Sequence, residues 1–308
     1  MRVLVTGAAG FLGSVVARML VERGHHVCGF GRRASADATE SVIGDIRDVD
    51  WLAEATHGCD AVVHLAALVE GKSPVDTFEI NVRGTYCALE AAIAAGVGRF
   101  IYASSIAATG CLRPGFIPAY LPIDEAYPCT PASPYSVSKL IGEEMCAAAA
   151  RRTGMTVIAL RYASIAPVLE DDPWLALSRG GWRSKDAPAS TQSATLWTGV
   201  SVQDAAVATV NALTASADAG SLLVVNIAAE EPTTLESPSV LADRFFPSVP
   251  RQAGGPDASG GTFFSIEQAR VCLGFTPTHS FVAFAARHGL RLRAEEHGQS
   301  HSGSVSRD

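Results

Sequence analysis

The chain has 308 residues, 48% of them hydrophobic, which is enough apolar material for one large domain or two of ordinary size. Its formal net charge is −7 at pH 7 and no block is rich in Lys or Arg, which argues against a nucleic-acid or anionic-membrane surface. No apolar run approaches the roughly 20 residues that span a bilayer, and no secretory signal pattern opens the sequence, so we expect a cytoplasmic protein.

Cysteine and histidine spacing predicts neither a disulfide framework nor a metal site. The seven cysteines are an odd number, are widely scattered and form no C-x-x-C pair. The eight histidines show no ligand spacing. We therefore expect buried thiols and no bound metal.

Apolar runs alternate with helical periodicity over the first two-thirds of the chain. In chain order, the predicted elements are the strand RVLVTG, the helix FLGSVVARMLVERG, the strands HHVCGF and SVIGD, a helix over 48–56, the strand DAVVHLAA, a helix over 75–95, the strand RFIYASS, a helix over 134–153 and the strand MTVIALRY. Short Val- and Ile-rich runs between helices are typical of parallel strands buried on both faces. The pattern predicts an α/β fold with a Rossmann-type, doubly wound parallel sheet and right-handed crossovers.

The pattern weakens beyond Arg161. A loop rich in Gly, Ser and Pro precedes a predicted helix, DAAVATVNAL, and a predicted strand, SLLVVNIA, and a second such loop, GGPDASGG, follows them. We predict a large domain over 1–164, onto which segments near 197–228 pack back, and a smaller, loop-rich region over 165–292. Residues 293–308 lack apolar periodicity and are predicted to form a disordered tail.

Three glycines follow the first predicted strand and open the first helix. In TGAAGFLG, Gly7, Gly10 and Gly13 allow the backbone to approach a ligand closely, and the helix N-terminus supplies N–H donors and a positive dipole end. This arrangement suits the pyrophosphate of a dinucleotide. A glycine triplet alone fits any tight turn, but the second strand that follows gives this one the context of a dinucleotide-binding unit.

A tyrosine and a lysine lie four residues apart in SPYSVSK. Ser133 is suited to cap a helix that begins with Pro134, so Tyr135 and Lys139 are expected on one helix face. A nearby ammonium favours the phenolate, and moving a Tyr pKa from about 10 toward 7 needs roughly 4 kcal/mol. Such a Tyr can act as general acid and base on a carbonyl–alcohol pair. An isolated Y-x-x-x-K is more often an ordinary helix surface, and the glycine loop upstream is what favours catalysis.

These motifs resemble the extended short-chain dehydrogenase/reductases, or NAD-dependent epimerase/dehydratase family, over about residues 1–290. The matching stretches are TGAAGFLG, GDIRD, HLAA, NVRGT, YASS, YSVSK and LRYASIAP. The resemblance implies that residues 1–164 bind the dinucleotide and that 165–292 form the substrate-binding cap.

A Ser-Tyr-Lys site follows from the resemblance. It implies that Tyr135 transfers the proton, while Lys139 lowers the Tyr135 pKa and binds the nicotinamide ribose. Comparison of RFIYASSIAATG with the family places Ser105 where the substrate oxygen is oriented, and leaves Ser104 with a structural or cofactor contact. Asn81 is expected to support the site from the neighbouring helix; the alternative is a helix polar residue satisfied by solvent.

The resemblance also implies which residues contact the cofactor. GDIRD is the acidic turn that holds adenine, and HLAA follows the fourth strand. The expected contacts are Gly7, Gly10, Phe11, Leu12, Gly13, Gly31, Arg32, Arg33, Asp45, Ile46, Leu65, Ala66, Ala67, Asn81, Tyr135, Lys139 and Ser164.

A homodimer is a further expectation from the resemblance. In the family, helices corresponding to 75–95 and 134–153 form a four-helix interface. The first of them carries small residues in excess of what packing on the sheet is expected to need, namely Ala88, Ala91, Ala92 and Ala95.

Departures from the family pattern narrow the reaction. The 4,6-dehydratases carry an acidic pair after the Ser or Thr, where this chain has Ile106 and Ala107, which can transfer no proton, so we reject dehydration. Nucleotide-sugar enzymes hold the diphosphate with an Asn and an Arg, where this chain has Ser164 and Trp197. Trp197 is either core or a stacking surface for a ring. Cations of the later region could substitute for the missing Arg: Arg183, Lys185, Arg244 or Arg251.

The end of the second strand indicates which dinucleotide binds. NAD enzymes of this fold place an acid there to accept from the ribose 2′-OH, and the position here is Gly31. An acid would repel a 2′-phosphate, whereas Gly31 leaves room for one, and Arg32 and Arg33 can bind it through charge-assisted hydrogen bonds. The sequence therefore favours NADP(H) over NAD(H).

Three functions stay open. The first is an NADP(H)-dependent ketoreductase of secondary or carbohydrate metabolism, acting on a small-molecule carbonyl under the cap. The second is a nucleotide-sugar epimerase that keeps NAD bound and returns the hydride to the other face of the ring. The third, a non-catalytic dinucleotide sensor, is disfavoured because a binder has no need of the Tyr135–Lys139 pair.

Overall fold

The computed structural model describes residues 1–69, 73–166, 195–234, 236–257 and 260–287. The expected tail at 293–308, and the two cations Arg183 and Lys185, lie outside these ranges.

The described residues form a regular alternation of strands and helices up to residue 162. In chain order the elements are β1 (Arg2–Thr6), α1 (Phe11–Glu22), β2 (His26–Gly31), β3 (Glu40–Ile43), α2 (Val49–Thr56), β4 (Ala61–His64), α3 (Pro74–Phe78), a π turn (Glu79–Arg83), α4 (Gly84–Ala94), β5 (Arg99–Ser105), a 3₁₀ turn (Ile106–Thr109), α5 (Pro134–Thr153), β6 (Thr156–Tyr162), β7 (Ser164–Ala166), β8 (Gly199–Ser201), α6 (Val202–Asn211), β9 (Leu222–Ile227), α7 (Pro238–Phe245), α8 (Glu267–Leu273) and α9 (Phe281–Arg287).

Seven strands form one sheet in the order β3-β2-β1-β4-β5-β6-β9. Every neighbouring pair is parallel. Chain order reverses between β1 and β4, which is the switch point where open α/β sheets bind ligands at the carboxyl ends of their strands. The predicted Rossmann-type parallel sheet is confirmed.

The sheet is buried on both faces, because alternate residues of each strand enter two separate cores. On one face, Val3 and Val5 of β1 pack in the core that includes residues of α1 and α6. On the other face, Leu4 packs in the core that includes residues of α2, α4 and α5. Burial on both faces explains why the strands read as continuous apolar runs rather than as alternating patterns.

Segments beyond residue 197 return to the large sheet. β9 pairs with β6 from Leu222 to Ile227, and α6 packs against α1. A separate two-stranded sheet joins β7 and β8. β7, β8 and α7–α9 were not predicted from the sequence, because they are short and lie where strands and helices no longer alternate regularly.

Three of the four small residues expected at a partner interface are not available to a partner chain, which corrects that part of the expectation, whereas the fourth, Ala95, is exposed. Ala88, Ala91 and Ala92 are buried within the chain's own core, where α4 packs beside α2 and the sheet. Small side chains allow that close approach. The apolar side chains that this helical segment does expose are Val75, Phe78 and Tyr86.

The described residues contain no disulfide and no candidate membrane span. All seven cysteines are free; four are buried and three are partly buried. Within the described ranges, no helix has both the length and the apolar character that a membrane span requires.

Candidate active site

The glycine loop after β1 is packed so closely that its three glycines admit no side chain. A Cβ at Gly7, where φ is +73°, would lie 2.9 Å from Ala66 N, in the segment that follows β4. A Cβ at Gly13 would lie 2.1 Å from Gly7 O, and one at Gly10 would lie 2.9 Å from the same oxygen. The loop is thus pressed against the end of β4 at the carboxyl edge of the sheet.

The N-terminus of α1 is free of a side-chain cap. Gly10 occupies the N-cap position and provides no side-chain hydrogen bond to the 12-residue helix. The first-turn N–H groups, including those of Phe11 and Leu12, have no carbonyl partner within the helix. Free donors, a positive dipole end and a closely approaching backbone fit the pyrophosphate of a dinucleotide.

The end of β2 lies beside this loop, and Gly7 N donates to Phe30 O at 2.8 Å. A Cβ at Gly31 would meet only Arg33 O at 3.9 Å and Gly7 N at 4.0 Å, so packing does not force a glycine there. Arg33 Nη2 donates to Ala9 O at 3.3 Å, which brings its guanidinium onto the loop. Arg32 is exposed, and its charge helps to lower the pKa of Asp45.

The acidic turn after β3 is shaped by an ion pair that the sequence reading missed. Asp45 accepts from Arg47 Nε at 2.9 Å and from Arg47 Nη2 at 2.6 Å. These hydrogen bonds lower the pKa of Asp45 to about 2. The next residue, Ile46, is buried, and its Cγ2 would lie 2.7 Å from a Cβ at Gly84. The Asp45–Arg47 ion pair on one side and the packing of Ile46 against Gly84 on the other therefore fix the conformation of the turn.

The start of α5 is formed as predicted. Ser133 is the N-cap and its side chain accepts from Ser136 N at 3.1 Å, and Pro134 occupies the first turn. The helix carries Tyr135 and Lys139 toward the end of β5. Ser105, the last residue of β5, lies near enough to the Tyr135 phenol to oppose the rise of the Tyr135 pKa. The structure therefore brings together the three residues expected to form the Ser-Tyr-Lys site.

Ser105 is held by the turn that follows it. Its Oγ accepts from Ala107 N at 3.1 Å and caps the 3₁₀ turn. Ile106 and Ala107, which stand where dehydratases have acids, are buried in that turn. Neither of these two side chains can transfer a second proton.

The electrostatics of Tyr135 differ from the expectation. Burial raises the pKa of Tyr135, and the nearby Ser105 hydroxyl only partly opposes that effect. Lys139 Nζ lies 5.6 Å from the centroid of the Tyr135 ring and donates to Ala103 O at 2.7 Å. Burial lowers the pKa of Lys139 to about 8. The ammonium thus faces the ring but is bound to a backbone carbonyl, and the phenol stays protonated near neutral pH.

A buried ion pair behind the site was also missed. Glu143 and Arg161 are nearly inaccessible to solvent, with side-chain exposures of 4% and 5%. Arg161 donates to both Glu143 oxygens at 2.8 Å, and Ser104 Oγ donates to Oε1 of Glu143 at 2.5 Å. Ser104 therefore has a structural contact that joins β5, α5 and β6. The available signals were Arg161 in an otherwise apolar strand and Glu143 one turn beyond Lys139.

Asn81 is satisfied by protein and not by solvent. It lies in the π turn and is 1% exposed. Its Oδ1 accepts from Leu68 N at 2.7 Å, and its Nδ2 donates to Leu68 O at 2.9 Å and to Ser138 Oγ at 3.0 Å. The side chain therefore links the segment after β4 to α5, immediately before Lys139. Apolar periodicity did not reveal the π turn, a feature often found at functional sites.

The later region offers little for a diphosphate among its described residues. Trp197 is 2% exposed and packs on Phe245 and Phe263, so it is core and not a stacking surface. Arg244 forms an ion pair with Glu236, and Arg251 forms one with Asp243. Ser164 lies in β7 and is partly buried.

Leu65, Ala66 and Ala67 follow β4 and are partly exposed beside the glycine loop.

Within the described ranges, no group of three or more His, Cys, Asp or Glu side chains is placed to hold a metal ion.

Comparison with known proteins agrees with these features. A model of the NAD dependent epimerase/dehydratase family matches residues 3–167. The UDP-glucose 4-epimerase of Streptomyces lividans is 38% identical over 176 residues, which cover 53% of this chain and 52% of that enzyme. The L-arabinose 1-dehydrogenase (NAD(P)(+)) of Haloferax volcanii is 38% identical over 168 residues, which cover 52% of this chain and 65% of that enzyme. The matches thus span about half to two-thirds of these relatives.

A solved structure extends the likeness over most of the chain. A short-chain dehydrogenase/reductase superfamily protein from Agrobacterium tumefaciens, with bound NAD, has a TM-score of 0.69 and 27% identity and covers 94% of this chain and 98% of its own. The family match, the parallel sheet and the glycine loop agree with the motifs read from the sequence. This chain belongs to the NAD-dependent epimerase/dehydratase family of extended short-chain dehydrogenase/reductases.

Proposed function

We propose that the protein is an NADP(H)-dependent oxidoreductase that reduces a carbonyl of a small molecule to a secondary alcohol. The observation that carries the proposal is the meeting of Ser105, Tyr135 and Lys139 at the carboxyl edge of the sheet, near a glycine loop that suits a dinucleotide. When bound, the nicotinamide cofactor supplies the hydride.

The chain's own residues supply the proton and the orientation. Tyr135, protonated near neutral pH because burial disfavours the phenolate, donates its proton to the carbonyl oxygen. Ser105 donates a hydrogen bond to the same oxygen and so orients it. Lys139 places a positive charge near the phenol, which stabilises the phenolate that forms as the proton leaves.

Cofactor choice rests on the end of β2. The acid that would accept from a ribose 2′-OH is absent at Gly31, although a side chain there would meet nothing closer than 3.9 Å. Two arginines follow, and one of them already contacts the glycine loop. These features support a seat for a 2′-phosphate.

Replacing Arg32 with Ala is expected to weaken NADPH binding by about 10- to 100-fold, the effect of losing one charged hydrogen bond worth roughly 1.5–3 kcal/mol. NADH affinity should be unchanged, because NADH lacks the 2′-phosphate. Fluorescence titration with each cofactor measures both dissociation constants. Arg23→Ala, at the opposite end of α1, is the matched control. Equal losses for NADPH and NADH would contradict the phosphate seat.

A nucleotide-sugar epimerase is the second candidate, favoured by the 38% identity with the Streptomyces lividans UDP-glucose 4-epimerase. An epimerase of this type must retain its oxidised cofactor through the reaction. Denaturing the purified protein and separating the released nucleotides distinguishes the candidates. Stoichiometric NAD would refute the proposed reductase, whereas NADPH-dependent turnover of a ketone without retained NAD would support it.

A homodimer is the assembly that we propose. Pro74, Phe78 and Val82 face Pro134, Val137 and Ile141 across an apolar groove of about 110 Å³. Val75 and Phe78 are more than half exposed on the same helical segment. A second copy of this surface would cover both helices.

Phe78→Glu is expected to convert the dimer to a monomer, because a carboxylate would be buried at the centre of the interface. Size-exclusion chromatography with light scattering measures the mass. Val271→Glu, on the exposed side of α8, is the control that adds the same charge elsewhere. A wild-type protein that is monomeric at micromolar concentration would contradict the assembly.

The division into a dinucleotide-binding domain over 1–164 and a substrate-binding cap over 165–292, and the cytoplasmic location, stay predictions from the sequence.

A further inference from the structure

We infer that His64 is a positioning residue, held as a single neutral tautomer, that joins the glycine loop to the π turn and thereby orients Asn81 against α5. The inference rests on the proposed catalytic roles of Tyr135 and Lys139, because α5 carries both.

One side of the imidazole is bonded to β1. His64 ends β4 directly opposite Thr6, which ends β1. Thr6 Oγ1 lies 2.8 Å from His64 Nδ1 and accepts from Ala66 N at 3.2 Å. Thr6 precedes Gly7, the residue that is pressed against Ala66. This side of His64 is therefore tied to the point where the glycine loop begins.

The other side is bonded to the helix that follows the π turn. His64 Nε2 lies 3.0 Å from Thr85 Oγ1, at the start of α4. Thr85 Oγ1 donates to Asn81 O at 2.6 Å, four residues earlier in the chain. The imidazole thus bonds to the hydroxyl that holds the π turn.

The hydrogen bonds permit one assignment of protons. Asn81 O can only accept, so the single hydroxyl proton of Thr85 is used there. Thr85 must then accept from His64, which places the ring proton on Nε2. A neutral imidazole has no proton left for Nδ1, so Thr6 donates to Nδ1. Each hydrogen bond of this series therefore donates in the same direction, starting at Ala66 N and ending at Asn81 O.

The surroundings keep the ring neutral and fixed. His64 is 1% exposed and stacks on Tyr102 with 6.1 Å between ring centroids and an angle of 15° between planes. Burial and the nearby charge of Lys139 lower the pKa of His64 to about 3. Both ring nitrogens are bonded, so the imidazole has no freedom to rotate without breaking the chain of bonds.

The chain of bonds ends beside the proposed catalytic helix. Asn81 donates to Ser138 Oγ, and Ser138 immediately precedes Lys139. Ser138 Oγ donates in turn to Tyr135 O at 2.7 Å. Releasing Thr85 from His64 would loosen the π turn and let Asn81 move relative to α5. A displacement of about 1 Å in a reacting group can cost as much as about 100-fold in rate.

A matched pair of variants separates positioning from simple filling of the core. Thr85→Val keeps the volume but removes the hydroxyl, and Thr85→Ser keeps the hydroxyl. We expect Thr85→Val to lower kcat by about tenfold or more while the dissociation constant for NADPH changes by less than about twofold. Thr85→Ser should restore kcat to near the wild-type value. The substrate is the best one found in a panel of small ketones and UDP-sugars.

A spectroscopic measurement tests the proton assignment without turnover. The full-length protein, labelled with ¹⁵N-histidine, is expected to show one buried imidazole as the Nε2–H tautomer at pH 7, and His64→Gln should remove that signal. In Thr85→Val the Nε2 acceptor is lost, and the signal should move toward the Nδ1–H tautomer, because Thr6 can then accept.

Two results would overturn the inference. One is a wild-type His64 protonated on Nδ1, and the other is a Thr85→Val protein that matches Thr85→Ser in both kcat and tautomer. The wild-type spectrum decides the first point even if Thr85→Val fails to fold. Failure of the proposed function looks different, since the wild type would then bind NADPH without turning over any ketone, whatever the tautomer.

Discussion

Tyr135→Phe is expected to lower kcat by about 100- to 10,000-fold, the range typical of losing a positioned general acid or base. The phenylalanine keeps the ring that packs near Ser105 and Lys139 but has no proton to donate to the carbonyl oxygen. Cofactor affinity should change little, because the glycine loop and the end of β2 are untouched. Turnover of the best ketone and fluorescence titration with NADPH measure the two quantities.

Tyr86→Phe is the matched control for this prediction. Tyr86 is 52% exposed on α4, so removing its hydroxyl should leave kcat near the wild-type value. A Tyr135→Phe protein that kept more than about a tenth of wild-type turnover would contradict the assignment of Tyr135 as the proton donor. Loss of NADPH binding in the same variant would show instead that the phenol serves the cofactor site.

Arg161→Met is expected to lower the free energy of unfolding by about 3–5 kcal/mol, the usual cost of breaking a buried ion pair. Removal of the guanidinium leaves the Glu143 carboxylate buried, with only the Ser104 hydroxyl as a hydrogen-bond donor. Urea denaturation followed by circular dichroism measures the change. The double variant Arg161→Met/Glu143→Leu should recover part of the loss, because the Glu143 carboxylate is then no longer buried without its guanidinium partner.

The control for Arg161 is an exposed ion pair that, like the buried one, includes a residue of α5. Arg152, on α5, forms an ion pair with Glu90, and its side chain is 54% exposed. Arg152→Met should cost no more than about 1 kcal/mol, as is usual for surface ion pairs. Equal losses for the two variants would mean that burial does not set the strength of the Arg161–Glu143 pair.

The extent to which the sequence predicted the fold depends on the length and burial of each element. β1 and α5 were predicted because a continuous apolar run and a well-capped helix are strong local signals. The π turn was missed because a helix with one widened turn keeps nearly the same apolar spacing. Ala88, Ala91 and Ala92 were assigned to the wrong surface, since small residues suit a tight internal contact and a partner interface equally well.

The residues of the candidate site also divide into those that the sequence predicted and those that it did not. The glycine loop, Tyr135 and Lys139 were found because each motif combines a residue type with a spacing that its chemistry requires. The hydrogen bonds of Glu143, Arg161 and His64 could not be predicted from residue spacing. Their partners are distant in the chain, and the sheet is what brings them together. The pKa of Tyr135 could not be read either, since it depends on how deeply the phenol is buried.

The return of the chain to the sheet through β9 means that the stretch matched by the family model is smaller than the stretch that forms the sheet. The family match ends at residue 167, whereas β6 completes its hydrogen bonds only with β9 at Leu222–Ile227. A fragment cut near residue 167 would leave β6 as an apolar edge strand with unpaired N–H and C=O groups, open to pairing with other copies. The half of the chain beyond the family match is therefore a structural requirement of the matched half, and domain exchange between relatives must carry α6 and β9 along with the glycine loop.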